Sequence, residues 1–139
     1  MGTEIDQRRA ASLWERVELQ HGIVAREQLL DAGFTEQAIR HRLGSGRLHR
    51  LWRGVYAVGR PQVTRQGRWM AAVLACGPQA VLSHASAACL WEIGPSPVGI
   101  EVTVPSRSRR RRDGIVAHRR NLDPEELTRR HGIPVSSPA

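Results

Sequence analysis

Lysine is absent from this 139-residue sequence, and all 21 basic residues are arginine. That absence rules out a phosphate-binding loop of the G-x-x-x-x-G-K-[ST] type, and it denies Glu101 and Asp113 the Glu-x-Lys companion that a nuclease corner needs. Aromatics are scarce, with four Trp, one Phe and one Tyr, so any core leans on Leu, Val, Ile and Ala. Only two cysteines occur, Cys76 and Cys89; their Ala-rich surroundings suggest buried thiols in a reducing compartment, with a structural disulfide as the alternative. No stretch approaches the roughly 20 apolar residues of a membrane helix. The segment Met1–Ala11 is mixed in charge and has no apolar run, unlike a secretory leader. The expectation is a cytoplasmic protein with no membrane contact, built as one domain or as two small ones sharing an interface.

Acidic residues are missing from the whole of residues 37–91, which carry eight arginines. Residues 1–36 hold four Arg against seven acids, and residues 92–139 hold nine Arg against six. The net charge of +8 is therefore concentrated, as expected of one surface that meets phosphates. Arginine suits that role because its planar fork matches phosphate and guanine bidentately.

The first 60 residues carry the clearest pattern. Ile5, Leu13, Trp14 and Val17 stripe one side of a charged segment, predicting an amphipathic helix from Glu4 to Gln20 that stops at His21-Gly22. Ile23-Val24 is a minimal strand. Residues 25–32 predict a second helix with Leu29 and Leu30 inward, ended by Gly33. Thr35 is placed to cap a third helix running to Leu43, with Glu36 in its first turn. Ala38, Ile39 and Leu43 then face inward, leaving Gln37, Arg40 and His41 outward and Arg42 at the boundary. Leu48–Trp52, the turn Arg53-Gly54 and the strand Val55–Val58 complete a basic hairpin. A helix-turn-helix followed by such a hairpin is a winged helix, whose second helix enters the major groove of double-stranded DNA. Gln37, Arg40 and His41 are the candidates for base edges, and Arg42, Arg47, Arg50 and Arg53 for phosphates. His49 reads as an ordinary surface residue before a contact.

Gly59-Arg60-Pro61 marks a boundary, so the expected domains are residues 1–60 and 61–139. In the second, Thr64 caps a helix to Cys76, Ala80–Leu82 is a short apolar piece, and Ser83 caps a helix through Trp91. Ile100, Val102 and Val104 alternate with polar residues as a half-buried strand, and Ile115–His118 looks like its partner. The fold class is α+β, a winged helix-turn-helix followed by a small α+β domain. Between the two strands lies the densest charge run, Arg107, Arg109, Arg110, Arg111 and Arg112. It is either an auxiliary arm on the DNA backbone or a solvated hairpin tip.

No catalytic constellation, cofactor motif or metal site emerges. Ser83, His84 and Ser86 lack a surrounding G-x-S-x-G. Cys76, Cys89, His84 and His118 lack close paired ligand spacing.

The stretches HGIVAREQLLDAGFTEQAIRHRLGSGRLHRLWRGVYAVG, RWMAAVLACGPQAVLSHASAACLWEIG, IEVTVPSRSRR and GIPVSSPA resemble the AbiEi-type antitoxin and transcriptional-regulator family. The resemblance spans about Gln20 to Ala139 and is most specific at Gly46–Gly59 and Ala80–Trp91. It implies an N-terminal winged helix that binds DNA, with Arg47, Arg50 and Arg53 as the basic wing pattern and Arg40 and Arg42 on the helix before it. It also implies a second α+β domain and a repressor that opposes a nucleotidyltransferase-like toxin, usually without needing to touch it. Proteins with this N-terminal half also continue into very-short-patch-repair-like endonuclease domains, so the DNA-targeting half of a nuclease is an alternative. A protein-interaction module with incidental arginines is another. A homodimer is expected if the target is palindromic. At the C-terminus, Ile133-Pro134-Val135 predicts an edge strand or an extended entry, and Ser136–Ala139 the start of a helix that stops short, with an irregular tail as the alternative. A truncated second domain, with apolar area exposed around the Ile100–Val104 strand, is the corresponding expectation.

Overall fold

The computed structural model describes the backbone of residues 3–138 and side chains from residue 7 onward; the inward placement expected of Ile5 lies outside the described residues. Helix α1 (Thr3–Leu19) buries Leu13 and Val17. Strand β1 (Ile23–Ala25), helix α2 (Arg26–Asp31) and helix α3 (Glu36–Gly44) follow, then strands β2 (Leu48–Trp52) and β3 (Val55–Val58). The turn between α2 and α3 is possible because Gly33 sits at φ +100, where a side chain would be strained. β3 pairs antiparallel with both β1 and β2, giving a three-stranded sheet in the order β1-β3-β2. Leu13, Val17, Val24, Leu29, Ile39, Leu48 and Tyr56 form the core beneath these helices.

Helix α4 (Arg65–Ala75) starts at Thr64, whose Oγ1 accepts from the Gly67 amide at 3.0 Å. It is buried around most of its circumference, at Gly67, Trp69, Met70, Ala71, Ala72, Val73 and Ala75. A helix so apolar needs cover on both sides. One side meets β1, β2 and β3; the other meets β4 (Val81–Leu82), β5 (Ile100–Val104) and β8 (Ile133–Ser136). The larger apolar cluster accordingly joins Ile23, Val55 and Ala57 to residues of α4, helix α5 (His84–Leu90) and the second sheet. With β6 (Ile115–Arg119) and β7 (Leu127–Arg130), that sheet has the order β6-β5-β4-β8-β7. The fold is thus mixed α+β, with five α-helices and two sheets among the described residues. None of these helices is long and apolar enough to cross a membrane.

Four sequence expectations are corrected. β5 and β6 are partners but run parallel, so residues 105–114 cross over instead of forming a hairpin tip. β8 is not an edge strand, since β4 and β7 flank it; Pro134 is tolerated because β4 meets β8 only at Val135. The apolar side of β5 is covered, with Val102 and Val104 essentially inaccessible. Ser83 sits at the N-cap position of α5 without capping it, and its Oγ accepts instead from Thr103 Oγ1 at 2.8 Å.

Candidate nucleic-acid interface

Thr35 holds the start of α3 in extended backbone, with Oγ1 accepting from the Ala38 amide at 3.0 Å. The first turn carries Glu36, which pairs with Arg26 at the start of α2 and so fixes the two helices against each other. Ile39 points into the core, which leaves Gln37, Arg40 and His41 exposed on the opposite side. Their side chains offer an amide, a guanidinium and an imidazole on one short helical surface.

Arg42 differs from its neighbours. Its guanidinium lies 5.5 Å from the Trp14 ring and 5.0 Å from the Phe34 ring, and those two rings meet edge to face at 5.9 Å. It therefore packs α3 onto α1 as well as carrying charge.

The hairpin follows through Gly46, at φ +78, and the exposed Arg47. Arg50 lies opposite Tyr56 in the register, and Tyr56 belongs to the helical core, so Arg50 shares the helix-facing side of the sheet. His49 lies opposite Ala57 on the side that meets α4, and its Nε2 is buried without a hydrogen-bond partner. The sequence reading of His49 as a surface residue is corrected accordingly. At the two-residue turn Arg53 is exposed, and the Gly54 carbonyl accepts from the Arg26 amide at 2.8 Å.

The arginine run sits against this turn. Trp52 Nε1 donates to the Asp113 carbonyl at 2.7 Å, which ties β2 to the end of the crossover. Arg110 donates to the Ala75 carbonyl at the end of α4. Arg112 is half-buried, and its Nε lacks a partner; burial first, then repulsion from Arg110 and Arg53, holds its pKa below the ordinary guanidinium value. Burial pushes the Cys76 thiol pKa up, against the opposing charges of Arg112 and Arg110. Arg107 reaches Gln79, Arg109 turns back onto the Ser106 and Ser108 carbonyls, and Arg111 is exposed. An open cleft of about 940 Å³ runs between the two halves, lined among others by Arg16, Arg26, Arg50, Arg53, Arg110, Arg112 and Arg129, against Glu27 and Asp31. Seven guanidinium groups facing two carboxylates make it an anion-attracting surface.

One grouping is invisible in the linear sequence. His84, Glu101 and His118 converge with their ligand atoms all within 4.8 Å. Glu101 Oε1 lies 2.9 Å from His118 Nε2, and Oε2 accepts from the Ala85 amide at 3.2 Å. The His118 hydrogen bond, ahead of the Ala85 amide, keeps the Glu101 carboxyl below the usual carboxylate range. Spacings of 17 and 17 residues gave no ligand signature; only the α5–β5 packing and the parallel β5–β6 pairing bring the three together.

No curated protein matches this chain. The segment from within α1 to the end of the hairpin, residues 15–59, matches the family model described as "Transcriptional regulator, AbiEi antitoxin", and the match suggests a regulatory role in DNA binding.

Proposed function

We propose that this chain is a sequence-specific regulator that binds double-stranded DNA, a non-enzymatic repressor of antitoxin type. In this reading residues 1–60 are a winged helix-turn-helix domain. Helix α3 enters the major groove and presents Gln37, Arg40 and His41 to base edges. Arg47, Arg50 and Arg53 of the hairpin hold the phosphates on either side, with Arg42 contributing charge from its aromatic seat. Residues 61–139 act as a supporting α+β unit that brings the arginine run beside the wing. A homodimer would match a two-fold operator, and the operon's toxin is the second candidate partner.

The single observation that carries the proposal is the exposed Gln37-Arg40-His41 surface on a capped helix, beside a basic hairpin, within the segment that the regulator family model matches. Selection from a random duplex pool, at stated salt, tests it. One enriched site, bound at least roughly 10³-fold tighter than bulk duplex, is the expected result. Equal affinity for all duplexes sinks the reading.

A further inference from the structure

We propose that His84, Glu101 and His118 form a binding site for one divalent transition-metal ion of the zinc class. Two imidazoles and a carboxylate are a zinc donor set that leaves a fourth position open. Tetrahedral coordination at about 2.0–2.1 Å separates donor atoms by about 3.3 Å. The three donors already lie within 4.8 Å of one another, so small side-chain rotations close the site.

The framework is fixed before any ion arrives. Glu101 and Thr103 project from the same side of β5, and Thr103 is the register partner of His118 on β6. The start of α5 is clamped to β5 by the Ser83–Thr103 hydroxyl pair, by the Ser83 and Ala85 amides donating to Glu101, and by the Glu101 amide donating to Ser86 Oγ at 3.0 Å. His84 is the first residue of that helix and has φ +53, a left-handed conformation that favours glycine. Its ring lies 3.9 Å from the His118 ring at a tilt of 36°, with no hydrogen bond to either of its nitrogens among the described residues. One lone pair from each of these two adjacent imidazoles can serve a single cation.

The exchange balances. The ion takes the Nε2 position of a neutral His118, whose single ring proton is then carried on Nδ1; the Glu101 carboxylate and a neutral His84 nitrogen complete the set, and no net proton is released. His84 and His118 both line a cleft that also holds Arg110, Arg111, Arg112, Arg119 and Arg120 against one carboxylate, Asp113. That rim opposes entry of a bare cation and favours an anion, or a phosphate oxygen, as the fourth ligand.

The test uses the full chain, stripped with chelator, and does not depend on DNA binding. Calorimetric titration with zinc should give one ion per chain, with a raised unfolding temperature. His84→Ala, which removes an exposed side chain, should weaken binding roughly tenfold or more, and the His84→Ala/His118→Ala double variant should abolish it. Cobalt(II) bound in place of zinc should show no thiolate-to-metal charge-transfer band. Absence of zinc binding in the unsubstituted chain, stoichiometric binding that survives the double substitution, or a thiolate band implicating Cys76 or Cys89 would each overturn the proposal.

Discussion

Arg40 and Arg42 are two positions apart and have different surroundings. Arg40 is exposed on α3, while Arg42 rests over Trp14 and Phe34. Arg40→Ala should therefore leave thermal stability nearly unchanged, cost about 1–3 kcal/mol in binding to the selected site, and relax preference at one base position. Arg42→Ala should instead lose about 1 kcal/mol of folding stability, because two cation–aromatic contacts go with the side chain. Parallel thermal melts and DNA titrations of the two variants separate these effects; equal melting losses would show that the packing argument is wrong. Cys76 supplies a pH dependence. Burial raises the folded-state pKa of its thiol, so the folded chain retains a proton that the unfolded chain releases in alkali. Its contribution is fully present below the unfolded thiol pKa and is lost as pH rises through the folded value. The denaturant midpoint should fall as pH climbs above about 9, and Cys76→Ala should flatten that fall.

Two of the three helix caps expected from the sequence form, because a cap is a local device; Ser83 fails because its hydroxyl is taken by Thr103 across the sheet. Thr35 and Thr64 both accept the amide expected of them, and Thr35→Ala should cost about 1 kcal/mol. For a chain of this size that lowers the melting temperature by a few degrees. Weakened DNA binding should accompany it, since the start of α3 frays; a binding loss with no melting loss would point to direct contact by Thr35 instead. The three helices and the hairpin of residues 1–60 were legible for the same local reason. Strand partners were not. Alternation of Ile100, Val102 and Val104 identifies a half-buried strand, but it does not say whether the neighbour runs parallel, and a ten-residue arginine-rich segment resembles a loose hairpin tip as readily as a crossover. Strand β7, Leu127-Thr128-Arg129-Arg130, is too polar to announce itself, and its hydrogen bonding to β8 turns an expected edge into an interior strand. The exposed face of α3 was readable from helical periodicity, whereas His84, Glu101 and His118 meet only through tertiary packing.

At the scale of the whole molecule, the two halves are joined at several points. His21 at the end of α1 contacts the His131 carbonyl at 2.7 Å, and a Cβ on Gly132 would come within 2.7 Å of the Leu19 carbonyl. Trp52 and Arg110 tie the crossover to the hairpin and to α4, so the arginine run occupies a set position beside Arg53. This decides which of its members are available to a phosphate backbone. Arg110 and Arg112 are engaged with the fold, and their loss would confound binding with stability. Arg109 and Arg111 are exposed and bear on nothing larger than their own loop. Each phosphate contact contributes about 0.9 to the slope of log K against log salt concentration. If the run is an auxiliary backbone contact, Arg109→Ala/Arg111→Ala should reduce the magnitude of that slope by about 2, weaken all duplexes alike, and leave both the selected sequence and the melting temperature unchanged. An unaltered slope would assign these two side chains to solvent and confine the DNA footprint to α3 and the hairpin; a changed base preference would mean instead that the crossover reaches into a groove.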